Sequence, residues 1–247
     1  MFDIFEAGLL AFGALLAGFV AGLTGFGTAM TALAFWLYVV PPVVAAPLAA
    51  ICAIGAHVLS VRKIWRDFDL HAARPFLIGG IVGVPIGVSL LTWLSADTFK
   101  GIVGLFLVIY AGIMLSMKNP PAVSWGGRIA DGVSGFIGGV LGGFSGLSGP
   151  VPTLWAILRG WGKERQRSVI QGFNMLVLTF AIAIFAFKGM LTGSVLSAAI
   201  ICIPATLVGS WFGTNAYLAI DAATFRRIVL VLLCISGTIL TATWFAS

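Results

Sequence analysis

Charge is what this chain has least of. Eight residues of 247 are Asp or Glu and 14 are Lys or Arg, so charged side chains make up 9% of the whole, against about 25% in an ordinary soluble domain. Hydrophobic residues make up 60%. No polar stretch exceeds a short loop, which leaves no room for a soluble domain. The carboxylates, from Asp3 to Asp221, all stand in loops or at the ends of apolar stretches. Many cation carriers and proton pumps depend on carboxylates inside the membrane, so their lack turns the reading toward an anionic substrate. Histidine occurs twice, at His57 and His71, too rarely for a metal centre. Cys52, Cys202 and Cys234 are scattered through apolar runs and fit neither a disulfide framework nor a zinc site. No glycine-rich segment ends in Gly-Lys-Ser/Thr, so ATP does not act directly on this chain. No cofactor is implied, and no cluster supports an enzyme. The N-terminal MFDIFEAG lacks the basic opening of a cleavable signal peptide.

What is present is apolar sequence in long blocks, roughly 5–40, 43–61, 76–95, 99–117, 130–158, 168–187, 190–218 and 226–245. About 20 apolar residues span a bilayer, so the chain reads as an all-α polytopic membrane protein. The net charge of +6 lies in the loops between blocks. Positive loops are what membrane topology requires, so they do not indicate a nucleic-acid partner.

The first and fifth blocks are too long for one span at 1.5 Å per residue, and each contains a glycine and hydroxyl cluster. These read GLTGFGTAMT at Gly22–Thr31 and GFSGLSGPVP at Gly143–Pro152. A shift of 121 positions lays Gly18 on Gly139, Gly22 on Gly143, Thr24 on Ser145 and Leu33 on Leu154. Later in each half the shift becomes 126. Gly83 and Gly87 then fall on Gly209 and Gly213, and Thr98-Phe99-Lys100 on Thr224-Phe225-Arg226. The chain is therefore expected to be two repeats, 1–120 and 121–247, within one membrane domain.

Topology follows from the basic residues. If the first and fifth blocks each cross once, Lys and Arg divide seven against seven between the two sides. If each is a hairpin that returns to its own side, only Lys100 and Lys188 fall outside and twelve fall inside. The second arrangement obeys the positive-inside rule. It gives two inverted repeats, each a broken, re-entrant hairpin of two short helices plus three transmembrane helices, with both termini outside.

A break in a helix frees N–H and C=O groups that lipid cannot satisfy, so it survives only when buried in protein or facing a watery cavity. A helix restarting there offers its positive end to an anion. The candidate substrate-binding residues are thus Thr24, Gly25 and Gly27 in the first cluster and Ser145, Gly146, Ser148 and Gly149 in the second. Gln171 and Asn174 share one face of the sixth block and either contact substrate or bond a neighbouring helix. His57 either plays a structural part or meets an anion or proton. The other paired glycines read as close helix packing.

The motifs GLTGFG and GGFSGLSGP, each followed by Gly-x-x-x-Gly and a Thr-Phe-basic step, resemble the sulfite exporter TauE/SafE family, also called the toluene sulfonate uptake permease family. The likeness runs over nearly the whole chain and is closer in the second copy. The first copy departs in having Gly25-Phe26-Gly27-Thr28 with no proline before Pro41. The resemblance implies an ATP-independent transporter in the cell inner membrane for small sulfur-containing anions such as sulfite or an aryl sulfonate. Trp36 and Trp155 then either shelter an organic tail or anchor at the interface. Direction, coupling ion and a homo-oligomeric state stay open, as do an anion channel and a non-transporting scaffold as alternatives.

Overall fold

The computed structural model describes residues 2–58, 68–117, 123–216 and 222–246. Among them there are ten α-helices and no strand. In chain order they are α1 (Ile4–Thr24), α2 (Thr28–Trp36), α3 (Pro42–Val58), α4 (Leu70–Trp93) and α5 (Ala96–Ser116), then α6 (Gly127–Ser145), α7 (Pro150–Leu158), α8 (Lys163–Phe187), α9 (Gly193–Ala216) and α10 (Ala222–Ala246). Six of them, α1, α4, α5, α8, α9 and the Arg227–Phe245 stretch of α10, are long and apolar enough to cross a membrane. The all-helical, polytopic reading of the sequence therefore holds. Arg62, Lys63, Arg66 and Lys118, which enter the charge count, lie outside the described residues.

Both broken segments are hairpins. α1 ends where Gly25 turns left-handed at φ 81° and returns its N–H to Ala21. α6 ends the same way at Gly146, φ 76°. A left-handed residue closing a helix is the usual place for glycine. The short second arm then folds back along the first. In the first hairpin the Trp36 indole N–H donates to the Leu10 carbonyl at 3.0 Å, and the Phe12 and Phe35 rings meet edge to face at 5.5 Å. In the second, Trp155 donates to Asp131 Oδ1 at 2.7 Å. One expectation needs correcting. Only the second arm of each hairpin is short, at nine residues. α1 has 21 residues and α6 has 19, so the first arms are about 30 Å long at 1.5 Å per residue. The break lies near the middle of each apolar run, 5–40 and 130–158, but the arm before it is full-length.

Glycine seams join the hairpins to the long helices. Gly18 and Gly22 of α1 pack on the backbone carbonyls of Thr206 and Ser210 in α9, too closely for any side-chain carbon. Gly139 and Gly143 of α6 pack in the same way on Gly80 and Val84 of α4. The equivalence extends to the partners, since Thr206 and Ser210 stand 126 positions after Gly80 and Val84. From the other side, Gly209 and Gly213 meet the carbonyls of Leu15 and Phe19, and Gly83 and Gly87 meet those of Phe136 and Val140. The residue numbers rise together along both seams, so α1 runs parallel to α9 and α6 parallel to α4. α5 and α10 run antiparallel, with Gly101 against Trp244 and Gly104 against Leu240 and Gly237. Each hairpin is thus gripped by a long helix from the other half of the chain.

Candidate functional site

The two breaks meet inside the bundle. A side-chain carbon on Gly149 would lie 2.8 Å from Asn174 Nδ2 and 3.4 Å from Phe26 Cβ. Around this meeting point are two spaces of very different size.

The larger has a volume of about 600 Å³, within the usual range for a small-molecule site. The first break forms part of its wall, through Thr24, Gly25, Phe26 and Gly27, and α2 adds Met30 and Thr31. α7, the turn after it and the start of α8 add Thr153, Ile157, Trp161, Lys163, Gln166 and Arg167. α5 and α10 contribute apolar residues such as Met114, Leu230 and Leu233. Among the described residues the cavity lining therefore has two cationic side chains, no carboxylate, and a wide apolar wall.

Arg167 is tethered. Its Nη2 donates to the Gly22 carbonyl at 3.3 Å, in the last turn of α1, where carbonyls lack helical partners. Next to it, Arg165 lies over the Trp161 ring at 4.7 Å and donates to Asp69 Oδ2 at 3.2 Å. The turn into α8 is thus fixed against both α1 and the start of α4.

The first break is also richer in donors. The first N–H groups of a helix have no partner within it, and α2 starts at Thr28-Ala29-Met30, each with an N–H. α7 starts at Pro150-Val151-Pro152, and proline has none. No side chain caps either start.

Two hydroxyls in the wall stand out. Thr31 and Thr153 are 6% and 1% exposed, and their Oγ1 atoms have no hydrogen-bond partner among the described residues. A buried, unpaired hydroxyl costs about 1–3 kcal/mol.

The smaller space is a seam of about 20 Å³, room for about one water. Gly146, Ser148, Gly149, His57 and Asn174 line it. Ser148 Oγ donates to Asn174 Oδ1 at 2.8 Å, and both residues are buried.

The ten candidate residues therefore divide. Thr24, Gly25 and Gly27 line the cavity, and the five just named line the seam, of which Gly27 is also part. Ser145 and Gln171 line neither. Ser145 Oγ caps its own helix by donating to Leu141 O at 3.1 Å. Gln171 lies beneath the first break, where a side-chain carbon on Gly25 would be 2.9 Å from its Nε2. Thr24 also has a local duty: its Oγ1 lies 2.8 Å from the Val20 carbonyl and 2.7 Å from that of Phe26, with one proton to share between them. Trp36 and Trp155 are hairpin fasteners and line neither space. Thr31 and Thr153 are additions, and Lys163 and Arg167, which in the sequence read as topology determinants that draw anions to the inner mouth, line the cavity itself. For Arg167 a signal exists, because it stands four residues before the buried Gln171 on the same helix face.

A family model described as Sulfite exporter TauE/SafE matches residues 10–240. A protein of Cupriavidus necator, the probable sulfite/organosulfonate exporter TauE, is 26% identical over 212 residues, covering 83% of this chain and 82% of that one. No solved structure matches.

Proposed function

The chain belongs to the sulfite exporter TauE/SafE family, a family of membrane transporters and not of enzymes, and from that premise we propose that it carries a sulfonate or sulfite anion across the cell inner membrane as an ATP-independent secondary transporter. The observation that carries this reading is the 600 Å³ cavity in which the broken helix, Lys163 and Arg167 converge. A sulfonate is a compact oxyanion on an organic tail. Cations, helix-start N–H groups and hydroxyls suit its head, and the apolar wall suits its tail. The relative from Cupriavidus necator is described as an exporter, and export is the direction proposed here.

The two halves are read as inverted repeats that rock about the shared site. Support comes from the seams. α1 follows α9 and α6 follows α4, while α5 and α10, equivalent by the 126-residue shift, run in opposite directions. By the positive-inside rule the cavity mouth near Lys163 and Arg167 faces the cytosol, where an exporter collects its load. Both termini then lie outside.

Reconstitution into liposomes tests the proposal. Labelled sulfite or benzenesulfonate should enter by saturable counterflow without ATP. Flux that rises without saturation would indicate a channel, and no flux a scaffold. Labelling of cysteines placed at residues 2 and 246 tests the topology, and reaction from the cytosolic side alone would rule out the hairpin arrangement.

A further inference from the structure

Helical hydroxyls in this protein generally find a bond close to home. Thr179, Thr214, Thr238 and Thr241 each bond the carbonyl four residues back, at 2.6–2.8 Å. That is the ordinary recourse of a helical threonine. Thr31 and Thr153 could turn back to Gly27 and Gly149 in the same way, and do not. Thr206 and Ser134 are also without a partner among the described residues, but they sit in α9 and α6, the helices of the glycine seams, and line neither space. Thr31 and Thr153 are buried, unpartnered and on the wall of the large cavity.

Their positions in the chain sharpen the point. Thr31 comes from α2 and Thr153 from α7, the short arms of the two hairpins. One threonine from each half therefore lines a common space together with Lys163 and Arg167. A hydroxyl donates one hydrogen bond, and a bond to a charged acceptor is among the stronger kinds. Elsewhere the wall holds Met114 and Met117, flexible side chains that fit many shapes.

Resting on the transport reading above, we infer that Thr31 and Thr153 form a two-hydroxyl clamp for the head group of the transported anion, each donating to one oxygen of a sulfonate or sulfite. The organic tail lies along the methionines. The clamp reads the head group, and the methionine wall tolerates different tails. Because the hydroxyls ride on different hairpins, they hold one anion together only while the short arms stay in place.

The test uses the purified full-length protein, with methanesulfonate and benzenesulfonate as probes and calorimetric titration and thermal melting as readouts. Thr31→Val and Thr153→Val should each weaken both probes about tenfold, the loss of one hydrogen bond to a charged group. Thr31→Ser and Thr153→Ser keep the hydroxyl and should keep wild-type affinity. The ligand-free Val variants should melt no lower than wild type, because each loses a hydroxyl that has no partner. Met114→Ala should weaken benzenesulfonate and leave methanesulfonate unchanged. Wild-type affinity in both Val variants overturns the clamp and leaves the transport reading standing. So does a lowered melting temperature in both without ligand, which means that the hydroxyls serve the fold. If a Val variant does not fold, its Ser counterpart decides: retained binding supports the clamp and lost binding overturns it. A wild-type protein that binds neither these sulfonates nor sulfite overturns both readings.

Discussion

Trp155 and Asp131 are joined at 2.7 Å, indole N–H to carboxylate, across the base of the second hairpin. Arg159 approaches the same carboxylate oxygen at 3.4 Å and also donates to the Gly127 carbonyl at 3.2 Å. The first hairpin has a simpler fastener, Trp36 to the Leu10 carbonyl, at the position 121 residues before Asp131. Each short arm is thus tied to its long arm by a tryptophan, with a backbone acceptor in one half and a side-chain acceptor in the other. Trp155→Phe keeps the ring and removes the donor, so it should cost about 1–2 kcal/mol of stability. Asp131→Ala also leaves Arg159 and Trp155 without their shared acceptor and should cost more. Thermal melting in detergent of the two variants beside wild type checks the order.

The glycine seams predict a sharp contrast among substitutions of one kind. Gly143→Ala pushes a methyl into the Val84 carbonyl, and Gly22→Ala does the same at Ser210. Each forces two helix backbones apart and should cost about 1–3 kcal/mol or more. At Gly55 and Gly112 nothing lies within 4 Å of the place a methyl would take, so Gly→Ala there should be neutral or stabilise by up to about 1 kcal/mol through helix propensity. Melting temperatures of the four variants separate the two groups.

Gly25 and Gly27 hold φ of 81° and 93°, where an ordinary side chain costs about 1–2 kcal/mol. At Gly25 the added carbon also crowds Gln171 Nε2, and at Gly27 it touches Val20 at 3.2 Å. Gly25→Ala should therefore lower both the melting temperature and anion affinity, since the break itself lines the cavity. Gly27→Ala should do so less. Equal affinity for benzenesulfonate in wild type and Gly25→Ala would detach the first break from the site.

The breaks are legible in the sequence because glycines and hydroxyls cluster where apolar residues would otherwise carry the helix onward. The hairpins are legible because twelve basic residues then share one side. The lengths of the arms are not, since hydropathy is uniform across 5–40 and does not mark how deep the break at Gly25 lies. The closer family likeness of the second copy does not mark which break lines the larger cavity. Ser148 donates to Asn174 across a narrow seam, and Pro150 and Pro152 remove N–H groups there. That loss of donors is visible in the sequence, and it makes the first break the more open to an anion. Arg167 passes for a topology marker because a basic residue at a helix start looks the same in either role. Thr31 and Thr153 leave no trace, because whether a helical threonine turns back on its own carbonyl depends on packing that the sequence does not spell out.

Asp69 predicts a dependence on pH. It caps α4 by accepting the Ala72 N–H at 3.0 Å, and Arg165 donates to its other oxygen. The backbone N–H and the nearby guanidinium hold its carboxyl below the usual carboxylate range. A lowered folded-state value means that the ionised form stabilises the fold above about pH 4, the ordinary aspartate value, and that this contribution fades as pH falls through the lower folded value. Asp69→Asn should melt below wild type at pH 7, and the gap should narrow steadily in acid. A gap that stays constant down to about pH 3, below the ordinary aspartate value, would show that capping, and not charge, accounts for it.

Arg167 and Lys163 share the cavity wall but differ in what holds them. Arg167 is half-buried and tied to Gly22, whereas Lys163 is exposed at the start of α8. Arg167→Gln should therefore lower stability and weaken sulfonate binding about tenfold or more, because it removes both a tether of the α1 tip and a charge in a partly desolvated space. Lys163→Gln removes a charge that is already screened. It should leave the melting temperature unchanged and mainly slow anion capture, with the difference from wild type vanishing as ionic strength rises. Initial rates of counterflow at low and high salt distinguish the two. If Arg167→Gln binds like wild type at low salt, the cation beside the break has no part in holding the anion, and the charge at this mouth serves topology alone.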